Sequence, residues 1–261
     1  MNPNLAKLVA AYQGVVTRAD VLARVPHYVL DHAARRGDLV RLFPRVYVDP
    51  SRLAEPWTRA RAALRYAGPG AALSHVTALS VWCLPGGDLD GAVHLLVPAS
   101  RRPRGADGIV VHRLRDFHAA EVVTRGGLPT CRVERSAVDS WALLPPDTRR
   151  AAVIGAVSER LTTPARLLDE IGSHPNLPRR FELLRLVNLL DLGCRSELEL
   201  WGYDRVFTGP GMPRMERNVR VRVGRRSVYL DVYCRRGEGQ LRARRQEVAQ
   251  FRGGEGAGRA P

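Results

Sequence analysis

Apolar residues along this chain recur at two spacings, and these divide it into helices and strands. Over residues 2–12, Leu5, Leu8, Val9 and Tyr12 return every three or four positions, which predicts a helix with one buried side. Thr17 suits the N-cap of a short helix over Arg18–Ala23, because its hydroxyl can accept a free backbone N–H of the first turn. Val25 and Pro26 break that helix, and Pro26 fits the first position of the next, where a missing N–H costs nothing. The second helix, His27–Arg36, sets Leu30, Ala33 and Ala34 on one face and leaves Tyr28, His32, Arg35 and Arg36 to point outward. Gly37 ends it. Two strand-like runs follow, Leu39–Phe43 and Arg45–Val48, with Pro44 between them.

Further along, Pro56 opens a helix that runs through Tyr66 and is stopped by Gly68-Pro69-Gly70. Ser74 is positioned to cap the next helix, His75–Trp82. Strands are predicted at Ala92–Val97, Ile109–His112 and Cys131–Glu134, and helices at Ala137–Leu144, Asp147–Arg160 and Pro164–Ile171. Residues 179 onward change character. Phe181–Leu190 is a strongly apolar helix, Ser196 caps another, and Val219–Val223 with Ser227–Tyr233 form a hairpin about Gly224-Arg225-Arg226. The expected architecture is α+β. Residues 1–52 form a winged helix-turn-helix, 53–178 a mixed α/β middle domain and 179–234, where a carboxylate on a helix (Glu199) is followed by one on a strand (Asp231), an incomplete restriction-endonuclease-like domain. A disordered tail takes up 235–261.

Charge sharpens the first of these assignments. Lysine and arginine together number 41 against 26 acidic residues, a net charge of +15, so the electrostatic prior favours polyanions. Helix, turn, helix and a two-stranded ribbon is the plan of a winged helix, whose second helix enters the major groove of double-stranded DNA while its flanks meet phosphates. The candidate DNA-binding residues are Thr17, Arg18, Tyr28, His32, Arg35, Arg36, Arg41 and Arg45. Arg35 and Arg36 lie late in the helix, where phosphate contact outweighs base reading. The four cysteines, Cys83, Cys131, Cys194 and Cys234, form no close pair or metal-ligand spacing and read as reduced cytosolic thiols. No apolar run is long enough to span a membrane, and no signal peptide precedes the first helix, so a cytoplasmic protein with no membrane partner is expected.

Other residues invite chemistry and are weighed against plainer roles. His75, His94 and His112 fall on one helix and two strands, without the local spacing of a metal-binding helix, and read as structural or surface histidines. Ser74-His75 lacks the glycines of a nucleophile elbow. The loop Arg101-Arg102-Pro103-Arg104 reads as a solvated turn, with phosphate contact as its functional alternative.

The runs Tyr12-Gln13-Gly14-Val15-Val16-Thr17-Arg18-Ala19-Asp20-Val21-Leu22, Arg36-Gly37-Asp38-Leu39-Val40-Arg41-Leu42 and Arg45-Val46-Tyr47 resemble the N-terminal winged helix of AbiEi-type antitoxins, from type IV toxin–antitoxin systems. Arg45 is a departure, since the family usually has glycine before Val-Tyr. Ser74-His75, the strand Val93–Val97 and Arg135-Ser136-Ala137-Val138-Asp139 resemble the middle part of actinobacterial AbiEi-like proteins. The resemblance implies a regulator that represses its own operon and counteracts a nucleotidyltransferase-like toxin without necessarily touching it.

Ser196, Glu199, the hairpin and Leu230-Asp231 resemble the C-terminal domain of Vsr-like proteins, which implies Glu199 and Asp231 as the first two acidic positions of a nuclease core. Such a core holds Mg²⁺ through carboxylate oxygens to cleave a phosphodiester. The strand that should follow, with a further Glu and a His, is missing. The expectation is therefore a non-enzyme without cofactor, its two carboxylates vestigial; the alternative is a degenerate Mg²⁺-dependent endonuclease. Residues 235–261 hold seven arginines and six glycines and read as a frame-shifted tail. Codons permitted from Arg235 onward, read one base later, can spell Phe-Glu-Leu-Asp-Gly followed by His, the missing strand. Wobble positions in G or C throughout that part of the gene would refute the frameshift.

Overall fold

In the computed structural model, the described residues are 1–194 apart from Asp116 and His118, Leu200, and 215–234 apart from Arg225. Contacts divide the chain into one unit over Met1–Val206 and a second over Phe207–Pro261. The fold class is mixed α and β.

The N-terminal region begins with α1 (Pro3–Ala11), capped by the Asn2 side chain, which accepts from the N–H groups of Asn4 and Leu5. A short strand follows that the apolar pattern does not announce, β1 (Val15–Thr17). Then come α2 (Arg18–Leu22), α3 (His27–Arg35), β2 (Val40–Phe43) and β3 (Val46–Val48). The three strands pair antiparallel in the order β1-β3-β2. Helix α3 ends as its glycine dictates. Gly37 adopts φ +75°, its N–H reaches Ala34 O at 3.2 Å, and the Asp38 N–H reaches Ala33 O at 2.9 Å. That pair of bonds satisfies the last free carbonyls of the helix. The buried face of α3 is Val29, Leu30 and Ala33; Ala34, expected there, is only half-buried. Pro26 stands at the N-cap position, one residue before the place expected for it.

Strands β1 and β3 of the small sheet are buried on both faces, while the edge strand β2 leaves Val40 and Arg41 exposed. Val16 and Tyr47 join Leu5, Val9, Val21, Leu30 and Leu39 in a core under the helices. Val15, Phe43, Val46 and Val48 join a second core with Ala60, Ala63 and Ala67 of α4 (Thr58–Ala67). Alternate residues of a strand face opposite ways, so one short run serves both cores.

The same helix α4 packs on the other side against a five-stranded mixed sheet of order β6-β5-β4-β8-β7. Its strands are β4 (Ala72–Leu73), β5 (Val93–Pro98), β6 (Ile109–Leu114), β7 (Val122–Arg125) and β8 (Leu128–Cys131). The strand expected at Cys131–Glu134 is in fact β8, ending at Cys131, and Val133 already begins a helix. The Gly126-Gly127 turn, with φ +57° and +75°, makes the preceding residues its antiparallel partner β7. Strands β5 and β6 run parallel, so the chain must travel back the length of a strand between them. The basic loop is that return path. It crosses the end of α4, where Arg101 donates to Ala67 O at 3.1 Å and the Tyr66 hydroxyl donates to Arg104 O at 2.7 Å.

Helices α5 (His75–Val81), α6 (Val133–Ser140), α7 (Pro146–Ser158), α8 (Pro164–Gly172) and α9 (Arg180–Asp191) complete the described part of the first unit. Helix α9 packs with α6, α7 and α8 around buried Trp141, Leu167, Ile171, Leu183 and Leu186. In the second unit, β9 (Met215–Val223) and β10 (Arg226–Cys234) form an antiparallel hairpin, with Val223 opposite Arg226 and Gly224 at φ +62° in the turn. Among the described residues, no helix is long and apolar enough to cross a membrane.

Candidate functional site

The eight residues expected to meet DNA divide into two groups. Tyr28, His32, Arg35 and Arg36 lie on or just past α3 and are exposed, Tyr28 to 63%. Arg41 and Arg45, on the ribbon, are exposed as well. Their internal ties are weak: Arg35 Nε donates to Asp31 O at 3.3 Å, and Arg36 lies 3.8 Å from Asp38. Thr17 is spent on a cap inside the fold, and Arg18, half-exposed, is held by an ion pair at the surface. The Thr17 hydroxyl donates to Asp20 Oδ2 at 2.5 Å and accepts from the Asp20 N–H at 3.2 Å, while the Thr17 N–H donates to the same carboxylate at 2.7 Å. This reciprocal cap fixes the start of α2. Burial works against the Asp20 charge, but Thr17 and the Arg65 guanidinium outweigh it and hold its carboxyl below the usual range. Arg18 bonds Tyr47 and lies 3.4 Å from Asp31.

Arg45 stands in the left-handed region, at φ +64°. The departure from glycine noted at this position is therefore a departure at a turn that glycine would make without strain. Its carbonyl accepts from the Arg18 N–H at 2.7 Å, which ties the ribbon turn to the start of α2. Beside it, a groove of about 530 Å³ is lined by Pro44, Arg45, Arg65, Tyr66, Pro103 and Arg104 among others. The ribbon turn and the basic loop, 60 residues apart in sequence, thus line one groove. Arg24, exposed at the end of α2, is a further cation on this side of the sequence that the eight candidates omit.

The middle region holds a second polar constellation. Arg135 Nε donates to Asp139 Oδ2 at 2.7 Å, one turn along α6. Its Nη1 approaches both Glu121, at 3.4 Å, and Glu170, at 3.7 Å. His174 lies 3.6 Å from both Asp139 and Glu170. Burial pushes the Asp139 and Glu170 carboxyls up, and Arg135 opposes that shift in both. The Arg135–Asp139 motif of the sequence is thus the hub of an ion network.

The three histidines read as structural or surface residues also meet. His94 on β5 and His112 on β6 occupy the same face of the parallel pair, staggered by two residues, and His75 at the start of α5 stacks on His112 with ring centroids 3.6 Å apart. No local motif could have signalled this; only the register of β5 on β6 brings them together. Glu199 lies outside the described residues, as does the tail 235–261. Asp231 lies in β10. Cys83 and Cys131 are free thiols, and burial pushes the Cys131 thiol far up.

No described protein family matches the chain, and no curated protein matches it. Among solved structures it is similar to the RV2827C protein from Mycobacterium tuberculosis, at 19% identity and a TM-score of 0.49, over 70% of this chain and 76% of that one. At that level of likeness neither fold nor function is carried across.

Proposed function

We propose that this chain is a DNA-binding transcriptional regulator, the autorepressing antitoxin of a type IV toxin–antitoxin-like system. It binds operator DNA through a winged helix-turn-helix over residues 14–48. The observation that carries this reading is the outward face of α3, where Tyr28, His32, Arg35 and Arg36 stand exposed, together with the exposure of Arg41 and Arg45 on the ribbon that follows it in the chain. In this reading α3 enters the major groove, Tyr28 and His32 meet base edges, and the arginines meet phosphates. Thr17 and Arg18 act indirectly, by fixing α2 and its distance from α3. The cognate nucleotidyltransferase-like toxin is held in check through repression of the shared operon, with no contact required. Residues 179–234 are then the remainder of a Vsr-like domain, with Glu199 and Asp231 vestigial.

The test is a gel-shift titration against the DNA upstream of the chain's own gene, at several salt concentrations. Replacing Arg35 and Arg36 by Glu together should weaken binding to every sequence and lower the slope of log affinity against log salt by about two units. Unchanged affinity and slope would remove α3 from the interface and defeat the reading.

A further inference from the structure

We propose that His75, His94 and His112 form a binding site for a divalent transition ion of the zinc class, with three nitrogen ligands and a fourth position open. The three side chains each offer one ring nitrogen, and these nitrogens all lie within 4.8 Å of one another. His94 Nδ1 and His112 Nε2 are 3.1 Å apart. Two imidazoles on one tetrahedral zinc, each about 2.0–2.1 Å from the metal, have their nitrogens roughly 3.3 Å apart. That pair is already at ligand spacing. His75 Nδ1 lies 3.1 Å from Ser74 Oγ, which fixes the ring through one nitrogen and leaves Nε2 for a metal. A ligating histidine is commonly held in this way through its second nitrogen.

The backbone supports the same assignment. Ser74 is the residue before α5 by position, yet its side chain makes no capping bond to that helix and is turned to His75 instead. His75 itself is held at φ +50°, a conformation disfavoured for a residue with a Cβ. The His94 N–H donates to Thr77 Oγ1 at 3.0 Å, which binds β5 to α5 beside the cluster. Strand β6 is at the edge of its sheet, so a metal here would tie an edge strand to a helix through the strand between them.

The chemistry of the donors selects the ion. Three imidazoles with no carboxylate among the grouped ligands suit zinc, cobalt or nickel and not magnesium or calcium, which demand oxygen. Burial lowers the pKa of all three rings, His75 to about 2 and His112 to about 4, and the neighbouring histidines add to this for His75 and His112. At neutral pH the rings are therefore neutral, the form that ligates. Binding needs one rearrangement: the stacked rings of His75 and His112, inclined by 17°, must open so that both planes meet at the ion.

The experiment uses the full chain, stripped with a chelator and titrated with Co²⁺ while its visible absorption is followed. One equivalent should give a spectrum of low coordination number, and Zn²⁺ should displace it stoichiometrically. Replacing His94 or His112 by Gln should weaken Co²⁺ binding at least roughly tenfold, while His27→Gln should bind as the wild type does. In case His94→Gln or His112→Gln fails to fold, the proton spectrum of the Co²⁺-loaded wild type gives an independent reading. Three paramagnetically shifted, solvent-exchangeable imidazole N–H signals are expected. No uptake of Co²⁺, uptake unaffected by either substitution, or fewer than three such signals would each overturn the site.

Discussion

The outward face of α3 and the ion network around Arg135 use the same residue types in opposite ways. On α3, Arg35 and Arg36 keep weak internal partners and remain open to solvent. On α6, Arg135 is nearly enclosed and answers three carboxylates. A cation left unsatisfied at the surface costs the fold little and is free to meet an external anion. One enclosed among carboxylates is part of the core's own accounts, because removing it strands charges that burial already disfavours. The two arginine sets therefore serve different ends: the first suits binding, the second holds α6, α8 and the Glu121 segment in place.

The largest effect that would test this contrast is on the network. Replacing Arg135 by Met should cost about 3–5 kcal/mol in urea unfolding, the range for breaking a buried pair by removing one partner. A loss below about 1 kcal/mol would mean that the network is solvated. The histidine cluster gives the next effect, through pH. His75 titrates near 2 in the fold and near 6.5 when unfolded. Its folded pKa is depressed, so below pH 6.5 the unfolded chain takes up a proton that the folded chain refuses. Stability from this group is full above about pH 6.5 and falls as pH drops towards 2, by about 1.4 kcal/mol per unit. His75 alone should thus cost chelator-treated protein about 2 kcal/mol between pH 6.5 and 5, and the slope should become shallower in His75→Gln, with His112 still contributing. Smaller again is Arg45→Gly, which relieves a left-handed residue and should stabilise the chain by up to about 1 kcal/mol while removing one candidate phosphate contact. Last, the Arg35→Glu, Arg36→Glu pair should shift unfolding by no more than about 0.5 kcal/mol, as exposed substitutions do. A large shift there would mean that α3 is holding the fold together, and would blur the contrast with Arg135.

The same contrast governs what the sequence makes legible. Helices α3 and α9 can be read from it because Leu30 and Ala33, or Leu183, Leu186, Val187 and Leu190, repeat at the period of a helix. The exposed arginines follow directly, since what is not on the apolar face must face elsewhere. Strands β1, β4 and β7 do not show, because two to four residues carry too little alternation and owe their form to a partner strand. Glu121, Asp139 and the Glu170–His174 pair come from three separate segments, as do His75, His94 and His112, so only tertiary pairing gathers them. The committed position of Thr17 is half legible: the cap of α2 shows in the sequence, while the consequence that its hydroxyl is spent on Asp20 emerges only in the fold.

Helix α4 has a consequence for how the molecule would act as an instrument of recognition. Because it is clamped between the small sheet and the five-stranded sheet, the ribbon turn at Arg45 and the basic loop at Arg104 belong to one body. Their separation is set during folding, not by a linker during binding. A ligand that reaches both would meet the second patch at no further loss of translational freedom, as if that patch were present at very high local concentration. The same rigidity imposes a ruler: phosphates spaced to fit both patches are favoured, and a duplex whose groove is too wide or too narrow must bend to comply.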